Sequence, residues 1–136
     1  MLEEDGDTER AAELFLPNDP GSVREARAFT RRVLDAAAIP SDSREQAALM
    51  VSELVTNAVV HAASGVCVRV VTGPVTRIEV EDEGEPLPEP VPVPGSGDLT
   101  PGGLGLAIVD ALATRWGTYD ADRGKTVWFE LEHGMR

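Results

Sequence analysis

The chain has 136 residues, 42% of them hydrophobic, which is enough for one domain with one buried core. Acidic residues outnumber basic ones by 24 to 12, and the net charge of -12 argues against nucleic-acid and anionic-membrane partners. A basic protein segment is the better candidate partner. The alternative is that the acidic residues serve only to keep the domain soluble. No apolar run approaches the ~20 residues of a membrane-spanning helix, and the acidic N-terminus lacks the features of a secretory signal, so a cytoplasmic protein is expected.

The first segment of the chain predicts a disordered tail followed by a strand. Residues 1–10 are polar and acidic. Beyond them, apolar residues recur at Ala12, Leu14 and Leu16 before Pro17, and this alternation is typical of a short strand. The turn residues PNDPG then separate the strand from the next element.

Two helices are predicted next. Ser22 and Glu25 form a capping-box pattern at the start of SVREARAFTRRVLDAAA, whose apolar residues recur at helical spacing until Pro40. Ser43 and Gln46 form the same pattern before a second helix, REQAALMVSELVTNAVVHAA.

The second half of the chain predicts two hairpins separated by a loop and a helix. The β-rich runs VCVRVVT and VTRIEVED are joined by Gly73-Pro74. Residues 83–101 contain six prolines and predict a Pro/Gly-rich lid loop, with a plain disordered insertion as the alternative. GGLG leads into the helix LAIVDALATRW, and WGTYDA and KTVWFEL flank a DRG turn.

This order of elements places strands in consecutive pairs instead of strict alternation with helices. It predicts an α+β fold with helices packed on one face of a largely antiparallel sheet. We expect a single domain over residues 11–133.

Glu53, Asn57 and His61 are spaced four apart, so they form one ridge along the second predicted helix, beside its apolar stripe. A carboxylate and an amide that border a core are costly to desolvate unless something hydrogen-bonds or coordinates them. Taken alone, the ridge can equally be a solvated helix face. A packed helix histidine is the alternative for His61.

Asp82 ends a predicted strand and is followed by Glu83-Gly84, where the backbone can turn sharply. Its carboxylate can therefore accept a hydrogen bond from an exocyclic amine, such as that of adenine. The alternative is that this Asp-x-Gly sequence only forms the turn that ends the strand.

Glycines mark two further candidate sites. In PGGLGLAIVDA they precede or open a helix, where backbone N–H groups and the positive helix end can face phosphate oxygens. Gly124-Lys125-Thr126 looks like the end of a P-loop, but Tyr119 stands where that motif requires glycine, so a turn into a strand is expected there.

Taken in order, ELVTNAVVH, VEDEG, GGLGLAIV and GKT resemble the N, G1, G2 and G3 boxes of the Bergerat-fold (GHKL) ATPases. That superfamily includes gyrase, histidine kinases and the anti-sigma-factor serine kinases. The helix SVREARAFTRRVL and the segment SELVTNAVVHA are typical of small stand-alone anti-sigma kinases, which extends the similarity over residues 11–131. The resemblance implies a two-layer α/β sandwich with a mixed, largely antiparallel sheet.

The resemblance also implies a role for each matched residue. Asn57 would bind Mg²⁺ through its amide oxygen, a ligand that suits a hard cation. Asp82 would recognise adenine, with Thr126 near the base pocket. Glu53 would be the general base that orients or deprotonates a serine hydroxyl of a protein substrate. The remaining residues implied to hold the nucleotide are Gly84, Gly102, Gly103, Leu104, Gly105 and Leu106.

The implied function is that of an ATP-binding anti-sigma factor with serine/threonine protein kinase activity. It would phosphorylate an anti-anti-sigma protein and otherwise sequester a sigma factor, as a homodimer. One departure is that the G1 box lacks its usual second glycine and runs from Glu85 into Pro86. This departure keeps open a non-catalytic ATP-binding regulatory module, and an ATPase component of a larger complex is a third possibility.

Overall fold

The computed structural model describes residues 9–61, 65–82, 104–121 and 124–132. These residues form three helices and five strands in the predicted order, which confirms the α+β class. The elements are β1 (Arg10–Leu16), α1 (Gly21–Ala36), α2 (Ser41–His61), β2 (Val66–Thr72), β3 (Thr76–Asp82), α3 (Leu104–Leu112), β4 (Arg115–Ala121) and β5 (Gly124–Leu131). None of the described helices is long and apolar enough to cross a membrane.

The five strands form one sheet in the order β1-β2-β3-β5-β4. Each of the four strand pairings is antiparallel, so the described sheet is not mixed. Both predicted hairpins are present, as β2–β3 and β4–β5. From β3 the chain passes through α3 to β4 at the sheet edge and returns inward along β5.

One face of the sheet, called the inner face, packs against the helices. Alternate residues of β2 and β3 are buried because successive side chains of a strand point to opposite faces. Burial of each Val or Leu side chain contributes about 1.5–3 kcal/mol. The inner-face core residues are Val66, Val68, Val70, Ile78, Val80, Val127, Phe129 and Leu131, and they meet helix residues that include Leu34, Met50, Val51, Leu54, Val55, Leu106 and Val109.

The opposite face, called the outer face, carries a network of arginines and glutamates among the described residues. The guanidinium of Arg77 lies 4.2 Å from the ring centre of Trp128 and donates to Glu79 and Glu130. Arg69 likewise forms ion pairs with two glutamates, Glu13 and Glu79. With Arg115 of β4, which also pairs with Glu130, the network links side chains across all five strands and keeps this face polar.

The two helices begin differently from the predicted capping boxes. Pro20 is the N-cap residue of α1 with helical backbone angles, and the carboxylate of Asp19 accepts a hydrogen bond from the Gly21 N–H at 2.9 Å. The predicted capping box is wrong because the Ser22 hydroxyl donates to the Pro17 carbonyl at 2.7 Å instead. The fixed φ of proline already suits a helix, so α1 starts before the serine. The second helix begins at Ser41, two residues before Ser43.

Two further predictions concern segments at the limits of the described chain. Strand β1 begins at Arg10, which pairs with Thr72, so the strand includes the last residue of the predicted tail. Residues 1–8 and the predicted lid loop at 83–101 lie outside the described residues.

Candidate functional site

The strand registers align one row of residues across the end of the sheet. Leu16 pairs with Val66, Val66 with Asp82, Asp82 with Lys125, and Lys125 with Asp120. The row lies on the inner face, which the helices cover, and it changes from apolar on β1 and β2 to charged on β3, β5 and β4. Charged side chains are thus gathered at one corner of the sheet.

Helix α2 ends at this same end of the sheet. Only four residues separate His61, the last residue of α2, from Val66, the first residue of β2. In addition, Asn18, just beyond β1, donates from Nδ2 to the Val59 carbonyl at 3.4 Å. Asn57 therefore lies about one turn before the end of α2, which meets the β1 and β2 side of this row.

Helix α3 points its N-terminus towards the row. It ends at Leu112, and β4 begins three residues later at Arg115, which pairs with Glu130 at the far end of the sheet. Because β4 then runs back to the row, the antiparallel path through α3 brings Leu104 near the charged corner. Free N–H groups and a partial positive charge are properties of such a helix end.

Glu53 and Asn57 lie one turn apart on α2, and both are partly buried. Within the described part of the chain, no hydrogen bond or ion pair engages either side chain. The neighbouring residue Ser52 is held on both sides, by Arg27 Nη1 at 3.3 Å and by the Thr56 hydroxyl on its carbonyl at 2.7 Å. A carboxylate and an amide are therefore presented on a well-anchored helix and are available to a ligand.

Asp82 and Lys125 form an ion pair that the sequence did not predict. Lys125 Nζ lies 2.9 Å from Asp82 Oδ2, and the two side chains are 13% and 5% exposed. Thr126 is buried on the outer face, opposite Glu81 and Tyr119. The structure thus brings Lys125, and not Thr126, to the predicted adenine-binding carboxylate.

The other candidate residues stand as follows. Gly84, Gly102 and Gly103 lie outside the described residues, as does the side chain of His61. Leu104 and Gly105 are the first two residues of α3. Leu106 is 3% exposed and packs in the core, so only its backbone can face a ligand.

The oxygen donors on the ridge of α2 suit a divalent cation held together with phosphate. Hard cations such as Mg²⁺ prefer oxygen ligands and are often held by one or two side chains plus substrate phosphates. The Asn57 amide and the Glu53 carboxylate supply such oxygens. Among the described residues, no cluster of three or more His, Cys, Asp or Glu forms a complete metal site.

The resolved pKa shifts lie away from this corner. Burial raises the pKa of the Cys67 thiol on β2, which keeps it in the unreactive neutral form. On the helix surface, the hydrogen bond from Arg31 lowers the pKa of Glu45. Neither group contributes to the charged row.

A family model described as a histidine kinase-like ATPase domain matches residues 16–131. The crystal structure of the RsbU and RsbW domains of Rv1364c from Mycobacterium tuberculosis is similar to this chain, with a TM-score of 0.72 and 20% sequence identity. That match covers 93% of this chain, which spans about a third of the solved chain (33%). At this identity the likeness shows a shared fold. No curated protein matches the chain.

Proposed function

The chain belongs to the histidine kinase-like ATPase domain family, and from this premise we propose that it is an ATP-binding anti-sigma factor with serine/threonine kinase activity. It phosphorylates an anti-anti-sigma protein and otherwise sequesters a sigma factor. The observation that carries the proposal is the pair Glu53 and Asn57, partly buried on one ridge of α2 and without partners in the described part of the chain.

The nucleotide is held by groups from three elements. Asn57 would hold Mg²⁺ through its amide oxygen, and the cation would neutralise charge on the phosphates. Asp82 accepts a hydrogen bond from the adenine amine. The N–H groups at the start of α3, from Leu104 and Gly105, would hold phosphate oxygens, as would Gly102 and Gly103, and Gly84 is a further residue assigned to the nucleotide.

Glu53 acts on the protein substrate. Its carboxylate orients the hydroxyl of a serine or threonine and accepts its proton as the oxygen attacks the γ-phosphate. The new O–P bond forms while the bond to the β-phosphate oxygen breaks, and ADP leaves with that electron pair. The half-buried position favours this role because a partly desolvated carboxylate is a stronger hydrogen-bond acceptor.

Nucleotide binding is tested by the effect of Mg·ATP on unfolding. A ligand at 100 times its Kd stabilises the native state by about 2.7 kcal/mol. The wild-type protein should show this stabilisation, and Asn57→Ala should lose most of it. Gln46→Ala, an exposed change on the same helix, is the matched control and should respond like the wild type. If Mg·ATP leaves the unfolding transition of the wild type unchanged, nucleotide binding and kinase activity are both disproved.

Phosphotransfer is tested separately with labelled ATP and candidate antagonist proteins. Glu53→Gln keeps the shape of the side chain but cannot accept a proton, so we expect transfer to fall by about 100-fold or more. Stabilisation by Mg·ATP should persist in this variant. If the wild type binds ATP but labels no antagonist, the non-catalytic regulatory module becomes the better function, as the Pro86 in the G1 box would favour.

The acidic surface bears on the partners. With 24 acidic and 12 basic residues, the chain would attract basic segments on the sigma factor or its antagonist. Association with either partner should therefore slow as salt is raised, which stopped-flow mixing measures. A homodimer in the cytoplasm is the expected form, and sedimentation of the purified protein tests the dimer.

A further inference from the structure

Lys125 is the chain's only lysine: the other 11 of its 12 basic residues are arginines. It lies on the inner face at the end of the sheet, directly opposite Asp82 on the neighbouring strand. Its side chain is 13% exposed, and its Nζ is 2.9 Å from Asp82 Oδ2. A largely buried ammonium group thus lies beside the carboxylate to which the proposed function assigns adenine recognition.

Stability does not explain this ion pair. Removing two charges from water costs several kcal/mol per ion, and well-packed hydrophobic residues in place of a buried pair are often equally stable or more so. The central inner-face positions of β3 and β5 follow that rule, with Ile78 and Val80 facing Phe129 and Val127. The charged pair stands at the end of β3 and β5 that belongs to the candidate site. We therefore infer that the pair serves to bind a ligand.

The two side chains offer complementary hydrogen-bonding groups. An ammonium has three donors and no acceptor, whereas an ionised carboxylate has about four acceptor positions and no donor. Lys125 can therefore donate to Asp82 and to a ligand at once, and Asp82 can accept from more than one donor. Together they present a hydrogen-bond acceptor, the Asp82 carboxylate, beside a hydrogen-bond donor, the Lys125 ammonium.

Adenine presents the matching pattern, an amine donor on C6 beside the ring acceptor N1. We propose that Lys125 is a second base-recognition residue, whose Nζ donates to adenine N1 while Asp82 accepts from the neighbouring amine. This proposal rests on the proposed function, because it assumes that ATP binds at this corner. Guanine presents an oxygen acceptor in place of the amine, so the fixed order of the two side chains on β3 and β5 selects adenine.

The test compares ATP with 1-deaza-ATP, in which a C–H replaces N1, on wild-type protein and on Lys125→Met. Hydrogen bonds to charged groups contribute enough that the wild type should bind ATP about tenfold more tightly than the analogue. In Lys125→Met, ATP should bind about tenfold more weakly than in the wild type and no more tightly than 1-deaza-ATP. General loss of attraction for the phosphates affects both nucleotides equally, so the ratio isolates the contact with N1.

A second measurement uses the wild type alone and does not depend on the variant folding. Because Lys125 is the sole lysine, labelling with ¹⁵Nζ-lysine gives one side-chain ammonium signal in NMR spectra. Mg·ATP should shift this signal, and Mg·1-deaza-ATP should shift it much less. Equal shifts with the two nucleotides would contradict the contact.

The outcomes separate this proposal from the proposed function. If neither protein binds ATP, nucleotide binding itself fails. If both proteins bind ATP and discriminate between the two nucleotides equally, only the role of Lys125 is disproved. If Lys125→Met binds ATP more tightly than the wild type, Lys125 competes with the base for Asp82, which also overturns the proposal.

Discussion

Buried hydroxyl groups in this domain differ in whether they have a hydrogen-bond partner. The Thr30 hydroxyl, buried in α1, donates to the Ala26 carbonyl at 2.9 Å. The Thr76 hydroxyl, at the start of β3, is equally buried and has no partner within the described part of the chain. A buried polar group without a partner costs about 1–3 kcal/mol of desolvation that no hydrogen bond offsets.

We therefore expect Thr76→Val to raise the free energy of unfolding by about 1 kcal/mol, because the change removes the unpaired hydroxyl and keeps the β-branched shape. Urea denaturation followed by circular dichroism measures the effect. Thr30→Val is the matched control and should be neutral or destabilising, since its hydroxyl is paired. Destabilisation by Thr76→Val would show that this hydroxyl has a partner in solution, such as a buried water.

At the scale of elements, α1 ends with a backbone conformation that is unusual for its residue. Ala38 has a φ of 62°, in the left-handed region. This conformation lets the Ala38 N–H donate to the Asp35 carbonyl and the Ile39 N–H to the Leu34 carbonyl, each at 3.0 Å. The end of the helix is satisfied, but a residue with a Cβ incurs about 1–2 kcal/mol of strain there.

Replacing Ala38 by glycine should relieve that strain. Glycine loses about 0.5–1 kcal/mol more conformational entropy on folding, so the net gain in unfolding free energy is expected to be about 0.5–1 kcal/mol. Ala37→Gly is the control: Ala37 has a φ of -93°, so glycine there carries the entropy cost without relieving strain and should destabilise the protein. Thermal unfolding of the two variants measures the difference, and equal effects would argue against left-handed strain at Ala38.

Elements were easier to predict from the sequence than the contacts between them. The alternation in VCVRVVT and VTRIEVED identifies β2, β3 and their buried faces because a strand repeats every two residues. The start of α1 was mispredicted because Pro20 and Ser22 both favour a helix start, and the sequence does not rank them.

The candidate site shows the same limit. The spacing of Glu53 and Asn57 on one helix places them together without any knowledge of packing. The pairing of Asp82 with Lys125 instead depends on the register between β3 and β5, which are separated in sequence by α3 and β4. A shift of one residue exchanges Lys125 for Thr126 on the inner face, so the motif match alone did not indicate that Lys125 pairs with Asp82.

At the scale of the whole molecule, two electrostatic effects oppose each other. The net charge of -12 favours expansion through repulsion among acidic groups. On the outer face, Arg69, Arg77 and Arg115 each form ion pairs with two glutamates, which favours the folded state. Exposed and partly exposed ion pairs contribute only about 0–1 kcal/mol each, whereas repulsion acts among all the unpaired acidic groups.

We therefore expect repulsion to dominate, so that salt stabilises the protein. Raising the ionic strength from about 0.01 to 0.15 M shortens the Debye length from about 30 to 8 Å, which screens charges spread over the surface more than pairs in contact. The urea midpoint should rise between these two NaCl concentrations. Arg77→Gln, which makes the net charge one unit more negative and removes two outer-face ion pairs, should respond to salt more strongly than the wild type. A midpoint that falls with salt in the wild type, and falls less in Arg77→Gln, would instead show that the outer-face network outweighs the net charge.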